Sequence, residues 1–369
     1  MSLHRITAAD ALAQYSTFDC VIDARSESEY AEDHLPGAVN WPTLNDDERH
    51  IVGTEYKQVS PFDARKRGAA LAAMNIARHV QTHVMPHSRG WRPLVYCWRG
   101  GQRSGSLGTV LGEIGFTVRV LEGGYRAFRR EVLEQLQNLP ATRHYRVLCG
   151  PTGSAKSRLL QALSAQDAQV LDLEALACHR GSVLGPLPGQ PQPSQKAFET
   201  AIWHTLRGFD SQQPVFAESE SRTIGRLRVP ESLLVQLRAS PCIRVHMALP
   251  ARVSFLLQDY PHFVADAELF CQQLQALTEL RGAQTVQRWQ EMARAQAAAG
   301  AALSANAPGP LAQVVQELLE QHYDPVYLRS MQRNFTHFAQ AQDLDLVDAS
   351  AATLMHCARA LHSPTKPFA

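Results

Sequence analysis

Paired cysteines at metal-binding or redox spacing are missing from this chain. Its seven cysteines (Cys20, Cys97, Cys149, Cys178, Cys242, Cys271, Cys357) are scattered, odd in number and free of C-x-x-C. That excludes a disulfide framework and a cysteine-based zinc site. A long apolar run is missing too: none approaches the roughly 18 residues a membrane span needs. The first twenty residues lack the basic-then-apolar order of a signal peptide, so the expected compartment is the cytoplasm, with no membrane partner. No internal repeat is present. Lysine is scarce: only five of the 36 basic residues are lysines (Lys57, Lys66, Lys156, Lys196, Lys366), the rest being arginine. Arginine suits bidentate phosphate recognition and stacking on bases, although a GC-rich genome gives the same skew. The net charge of +1 neither implies nor excludes nucleic acid.

What is present is a globular composition, 45% hydrophobic and 19% charged, over 369 residues, which predicts more than one domain. Short apolar runs at Cys20–Asp23, Pro93–Tyr96 and Thr117–Leu121 read as buried strands, with a helix over Ser104–Ile114 between the last two. After a linker at Asn138–Thr142, further strands are expected at Tyr145–Cys149, Gln169–Asp172, Pro214–Glu218 and Ile243–Met247. From about Ala265 to Tyr323 the pattern is helical. Strands alternating with helices predict α/β architecture with parallel sheets. The expected division is 1–138, 139–264 and a mainly helical 265–369 associated with the second domain. A Gly/Pro-rich segment, Gly181–Pro193, is long enough for a lid or substrate-binding loop.

Two loops carry chemistry. Cys97 ends a buried strand and is followed by Trp98, Arg99, Gly100, Gly101, Gln102, Arg103 and Ser104, then a helix. Converging N–H groups and a positive helix end favour thiolate there. Cys97 and Arg103 are the expected catalytic residues, with Arg99, Gly100, Gly101, Gln102 and Ser104 forming the anion loop. The C-x₅-R spacing also fits a phosphatase that attacks phosphorus. The second loop, Gly150-Pro151-Thr152-Gly153-Ser154-Ala155-Lys156-Ser157, lies between a strand and a helix, the context that confirms a P-loop. Gly150, Thr152, Gly153, Ser154, Lys156 and Ser157 are expected to hold a diphosphate. Ala155 replaces the usual glycine, which is accommodated if its φ is negative. Two dense polar strings follow candidate strands and should gather at the same sheet edge. They supply Asp172, Glu174, His179 and Arg180, and Glu218, Glu220 and Arg222. Ser157 and Glu218 are available to Mg²⁺, and Arg180 and Arg222 to phosphate or RNA.

Asp23–Tyr30, His34–Asn40, the cysteine loop and Leu121–Gly124 together resemble the rhodanese fold over the first third of the chain. The cysteine loop is one residue longer than a common short rhodanese loop. The order of this loop, the P-loop, DLEALACHRGS, ESESRTIG and Gln321–Tyr327 closely resembles the tRNA 2-selenouridine synthase family. The resemblance implies a rhodanese-like domain followed by a P-loop NTPase-like domain. It implies a substrate, 2-thiouridine at the wobble position of tRNAs for lysine, glutamate and glutamine. It implies geranyl diphosphate and selenophosphate as co-substrates, selenophosphate synthetase as the supplying partner, and no tightly bound cofactor. Rival readings are a rhodanese-regulated P-loop kinase or ATPase and a C-x₅-R phosphatase fusion. Arg126, Arg129, Arg130, Arg143 and Arg146 are the expected phosphate contacts to tRNA.

Overall fold

The protein is described from a computed structural model, which covers residues 4–181, 185, 189–298 and 309–362. Residues 182–184 and 186–188 of the expected lid, and most of the alanine-rich stretch at 297–307, lie outside the described residues. The chain forms two units, Met1–Gln137 with Pro193–His204, and Asn138–Gln192 with Thr205–Ala369.

The first unit holds five strands, β1 (His4–Ile6), β2 (Cys20–Asp23), β3 (Val39–Asn40), β4 (Pro93–Tyr96) and β5 (Arg119–Leu121). They pair in the order β1-β5-β4-β2-β3, all parallel. Central β4 is buried at every position, as its uninterrupted apolar sequence requires. Helix Gln102–Ile114 packs Leu107 and Leu111 against Val95 and Val120, and ends at Gly115 in the left-handed conformation. Residues 193–204 belong to this unit although they lie in the range expected for the second domain. Thr200 Oγ1 donates to Asp33 Oδ2 (2.9 Å) and Lys196 Nζ to Glu32 Oε1 (2.7 Å), partners too distant in sequence for any local pattern to reveal.

The second unit is built on β6 (His144–Cys149), β7 (Gln169–Leu171), β8 (Pro214–Glu218), β11 (Cys242–Met247) and β12 (Gln342–Leu346), while β9 (Thr223–Ile224) and β10 (Leu227–Arg228) form a separate antiparallel pair. The main sheet runs β12-β11-β6-β8-β7, all parallel. The connection from β6 reaches β7 past β8, and β11 then lies on the other side of β6. The carboxyl end of β6 is therefore a topological switch point, where ligands bind in such sheets. Helices Lys156–Ser164 and Ala351–His362 cover the same apolar cluster of this sheet. The carboxyl-terminal region thus contributes a strand as well as helices. β12 reads Gln-Asp-Leu-Asp-Leu and lies at the sheet edge, mostly exposed, so it lacks the apolar signal of the central strands. None of the described helices is long and apolar enough to cross a membrane.

Candidate functional site

In the first unit, β4 delivers Cys97 to the start of the anion loop, where it is 3% exposed. The thiol is more enclosed than its place beside two glycines suggests, because Ile22, Val95 and Leu107 share its apolar cluster. Ser104, fully buried one turn along the helix, donates its hydroxyl to Cys97 Sγ (3.1 Å). The Leu121–Gly124 motif braces the loop from behind: Tyr125 N–H donates to Cys97 O (2.8 Å) and Arg126 N–H to Trp98 O (3.2 Å). Gly124 has φ +57, and a Cβ there would lie 2.1 Å from Cys97 O, so only glycine fits. Arg5 Nη1 donates to Gly100 O (3.2 Å), tying the loop to β1.

Arg103, expected as a catalytic residue, is engaged in an ion pair in this structure. Its guanidinium pairs with Glu29 (2.7 and 3.4 Å), which also receives Arg49 (3.0 Å). Burial pushes the Glu29 carboxyl up, but the hydrogen bonds and charges of Arg103 and Arg49 outweigh it, leaving the pKa below the usual carboxylate range. Glu29 also accepts from Ser26 N–H (3.3 Å) in a capping box. Arg103 thus joins the loop's helix to the helix Glu27–Glu32, and the guanidinium clamp that a C-x₅-R phosphatase needs is occupied. Arg25, buried and held by Asp23 (2.6 Å) and Asp33 O (2.7 Å), lies 4.1 Å from the Tyr125 ring centroid. It ties β2 to the segment at Asp33 and to Tyr125, a role with no signal in the local sequence.

In the second unit, β6 runs into the P-loop and Lys156 opens the helix. Lys156 Nζ folds back over its own loop, donating to Gly150 O (2.7 Å) and Pro151 O (3.4 Å). Ser154 is fully buried and donates to Pro151 O (2.8 Å), so it braces the loop from inside. Residues the sequence reading missed hold the loop from outside. Arg252, 5% exposed, forks between Thr152 O (2.9 and 2.7 Å) and Asp324 (2.8 and 2.6 Å). Gly150 N–H donates to Tyr327 Oη, which also shares a hydrogen bond with Ser219 Oγ (3.2 Å). Asp324 and Tyr327 belong to the Gln321–Tyr327 string, which was recognisable as a motif but offered no signal of this bracing role.

Ala155 departs from expectation. It has φ +58 and ψ 26, in the left-handed region, with its methyl buried beside Leu159 and Leu160. The turn into the helix demands this conformation whatever residue occupies it. Left-handed backbone costs alanine roughly 1–2 kcal/mol. Burying the methyl returns about 0.8 kcal/mol, and alanine's narrower unfolded ensemble returns roughly 0.4–1 kcal/mol. The opposing effects nearly cancel. Ala155→Gly should therefore change unfolding free energy by less than about 1 kcal/mol in denaturant titration; a stabilisation well above that would mean strain dominates.

Beyond the loop, β8 ends at Glu218, and register pairs Glu218 with Leu148 of β6. Carboxylate oxygens of Glu174, Glu218 and Glu220 lie within 4.8 Å of one another. Ser157 Oγ donates to Glu174 Oε2 (3.3 Å). Glu218 is 4% exposed, and its Oε1 has no hydrogen-bond partner among the described residues. Burial, then the Glu218 and Glu220 charges, push Glu174 up to about 9, with Lys156 pulling the other way. Burial, then the Glu218 charge, push Glu220 up to about 7, and burial raises Glu218 as well. Three crowded carboxylates with a serine hydroxyl are the donor set of a hard cation. Ser157 and Glu218 were expected there; Glu174 and Glu220 complete the group.

The remaining polar residues divide. Asp172 caps the helix Leu173–Leu176 by accepting Ala175 N–H (2.9 Å), and burial raises its pKa. His179 is buried in the wall of a cavity that Lys156, Glu174, Glu218 and Glu220 also line, its Nδ1 without a hydrogen-bond partner among the described residues, and burial holds its pKa down. Arg180 pairs with Asp259, which also takes Arg158 (2.8 Å), so the two guanidiniums share one carboxylate and the trio keeps a net positive charge. Arg222 pairs with Glu231 (3.0 Å) on an exposed rim, 71% open. The expected tRNA-facing arginines also separate. Arg126 and Arg130 are exposed, but Arg129 pairs with Glu199, Arg143 donates to Leu206 O (3.1 Å) and Arg146 to Leu361 O (2.8 Å).

The class defined by these two units is a thiol-bearing rhodanese-like domain joined to a P-loop domain. A rhodanese-like domain model matches residues 7–131, and a tRNA 2-selenouridine synthase AAA domain model matches residues 143–357. A tRNA 2-selenouridine synthase of Nitrosomonas europaea is 33% identical over 345 residues, covering 85% of this chain and 89% of that one. One from Bdellovibrio bacteriovorus is 32% identical over 349 residues, covering 85% and 89%. One from Alcanivorax borkumensis is 35% identical over 262 residues, covering 69% and 70%. The chain belongs to the tRNA 2-selenouridine synthase family.

Proposed function

We propose that this enzyme modifies wobble 2-thiouridine of tRNAs for lysine, glutamate and glutamine in two steps. In the first, the thiocarbonyl sulfur attacks C1 of geranyl diphosphate. A C–S bond forms, the C–O bond breaks, diphosphate leaves with the electron pair, and the base gives up its N3 proton. In the second, selenium from selenophosphate forms a bond to C2 and the C2–S bond breaks. Geranylthiolate leaves and takes a proton, and water cleaves the Se–P bond to release phosphate. Selenophosphate synthetase is the natural supplier of the donor. The wobble base must leave the anticodon stack to be attacked, so binding should rest on phosphates and an extruded base.

The observation that carries this reading is the pairing on one family member of a buried thiol in an anion loop with a P-loop beside a carboxylate cluster. The P-loop N–H groups and Lys156 are suited to charge developing on a leaving diphosphate. Cys97, with Ser104 against its sulfur, is where we place the selenium donor. Arg99, Gly100, Gly101 and Gln102 frame that site, and Arg103 positions its helix through Glu29. Nucleoside mass analysis of 2-thiouridine tRNA incubated with both donors tests the reading: 2-selenouridine should form, and its absence would refute it.

The residues fit Mg²⁺, given the orphaned buried oxygen of Glu218; Ser157, Glu174, Glu218 and Glu220 would hold it. When bound, it would supply positive charge to the departing diphosphate. No tightly held organic cofactor is proposed. Mg²⁺ should raise the melting temperature by a few degrees, since a cation replaces protons on crowded carboxylates in the folded state alone. In Glu218→Gln that increment should shrink or vanish; an equal increment would remove Glu218 from the site.

A further inference from the structure

After the helix Pro310–Leu318 the chain passes through a π-helical turn, Leu319–Tyr323, before the helix Asp324–Asn334 begins. Such turns are frequent at functional sites. Two residues just beyond it tether this stretch to the P-loop. Asp324 reaches Thr152 O through the Arg252 fork, and Tyr327 Oη accepts Gly150 N–H. His322 lies inside the turn, immediately before these tethers. It is 8% exposed and lines the cavity of about 820 Å³ that Lys156 and the three glutamates share. Neither step described above uses it.

Arg281 decides which ring nitrogen of His322 carries the proton. Its Nε–H and Nη2–H both donate to His322 Nδ1 (3.1 and 3.0 Å). A guanidinium stays protonated and accepts nothing, so Nδ1 is the acceptor and the ring proton sits on Nε2. Burial, then the Arg281 charge, hold the His322 pKa below the usual histidine range, so the ring is neutral near neutral pH. Nε2 makes no hydrogen bond among the described residues. We infer that His322 is a neutral Nε2–H donor to an oxyanion in the P-loop cavity, with Arg281 as its positioning residue. This deepens the reading above and rests on its placement of a diphosphate in that cavity. An imidazolium would not serve here, because its Nδ1–H would face two guanidinium N–H groups. The neutral ring instead adds a directed hydrogen bond to a phosphate oxygen, where Lys156 supplies a point charge.

The test is a long-range ¹H–¹⁵N correlation spectrum of the full chain labelled with ¹⁵N-histidine, with Mg²⁺, before and after adding pyrophosphate. His322→Gln or His322→Asn identifies the His322 signals by their loss. His322 should be unprotonated at Nδ1 and protonated at Nε2, and pyrophosphate should shift its Nε2 signal. Arg281→Met should mix the two tautomers and weaken pyrophosphate binding by about tenfold, although His322 itself is intact. His322→Asn, whose amide reaches only as far as Nδ1, should weaken binding by about ten- to a hundredfold. His322→Gln, whose amide reaches the Nε2 position, should restore most of that loss. A proton on Nδ1, an Nε2 signal unmoved by bound pyrophosphate, or equal losses in the Asn and Gln variants overturns the inference. Wild-type protein that binds no pyrophosphate strikes the diphosphate reading itself, and the donor role falls with it.

Discussion

Cys97→Ser should geranylate 2-thiouridine at the wild-type rate and lose selenium incorporation by about a thousandfold or more. Serine is nearly isosteric, and what holds the loop is backbone: the carbonyls of Cys97 and Trp98 accept from Tyr125 and Arg126 whatever the side chain. The fold should therefore survive. A serine oxygen is smaller and far less polarisable than sulfur and makes a poor contact for selenium, so the selenium donor loses the sulfur against which we place it. Geranylated tRNA should accumulate, read out by nucleoside mass analysis. The P-loop lies in the other unit and contains no atom of Cys97, so the first step has no reason to slow.

Lys156→Ala should show the opposite pattern, with geranylation reduced by about 10²–10³-fold, the scale of losing one electrostatic contact to developing charge. Its ammonium rests on Gly150 O and Pro151 O, at the mouth of the loop where diphosphate oxygens would lie. It is also the positive charge that restrains the upward shifts of Glu174, Glu218 and Glu220. Selenation of 2-thiouridine tRNA should fall with geranylation, while pre-geranylated tRNA should still be converted. Assaying both variants on both tRNAs separates the two loops. Normal geranylation by Lys156→Ala, or none by Cys97→Ser, would break the division of labour.

The architecture was readable because its central strands carry local signals. β4 is a short apolar run and β6 ends in one, Val147–Cys149, each followed directly by a glycine-containing loop and a helix, so strand, loop and helix could be placed together. β12 was not readable, since its two aspartates and exposed edge position remove the apolar signal. The Arg252 fork was equally invisible, because it joins Thr152 to Asp324 across 100 and 72 residues. Glu174 and Glu220 were visible only as members of dense polar strings; β8 register and the turn after β7 bring them to Glu218. Ala155 was read as requiring negative φ, whereas loop geometry imposes φ +58 and buried packing of its methyl offsets the strain. Arg103 was read from spacing to Cys97; its ion pair with Glu29, 74 residues away in sequence, had no local signal.

The central claim is that one uridine passes through a geranylated intermediate, served first by the P-loop unit and then by the thiol-bearing unit. The most direct measurement is an order-of-addition time course on 2-thiouridine tRNA, followed by nucleoside mass analysis. Geranyl diphosphate alone should convert the nucleoside to its S-geranyl form. Selenophosphate added afterwards should consume that form as 2-selenouridine appears in equal amount. Formation of 2-selenouridine at the same rate with geranyl diphosphate omitted would contradict the account.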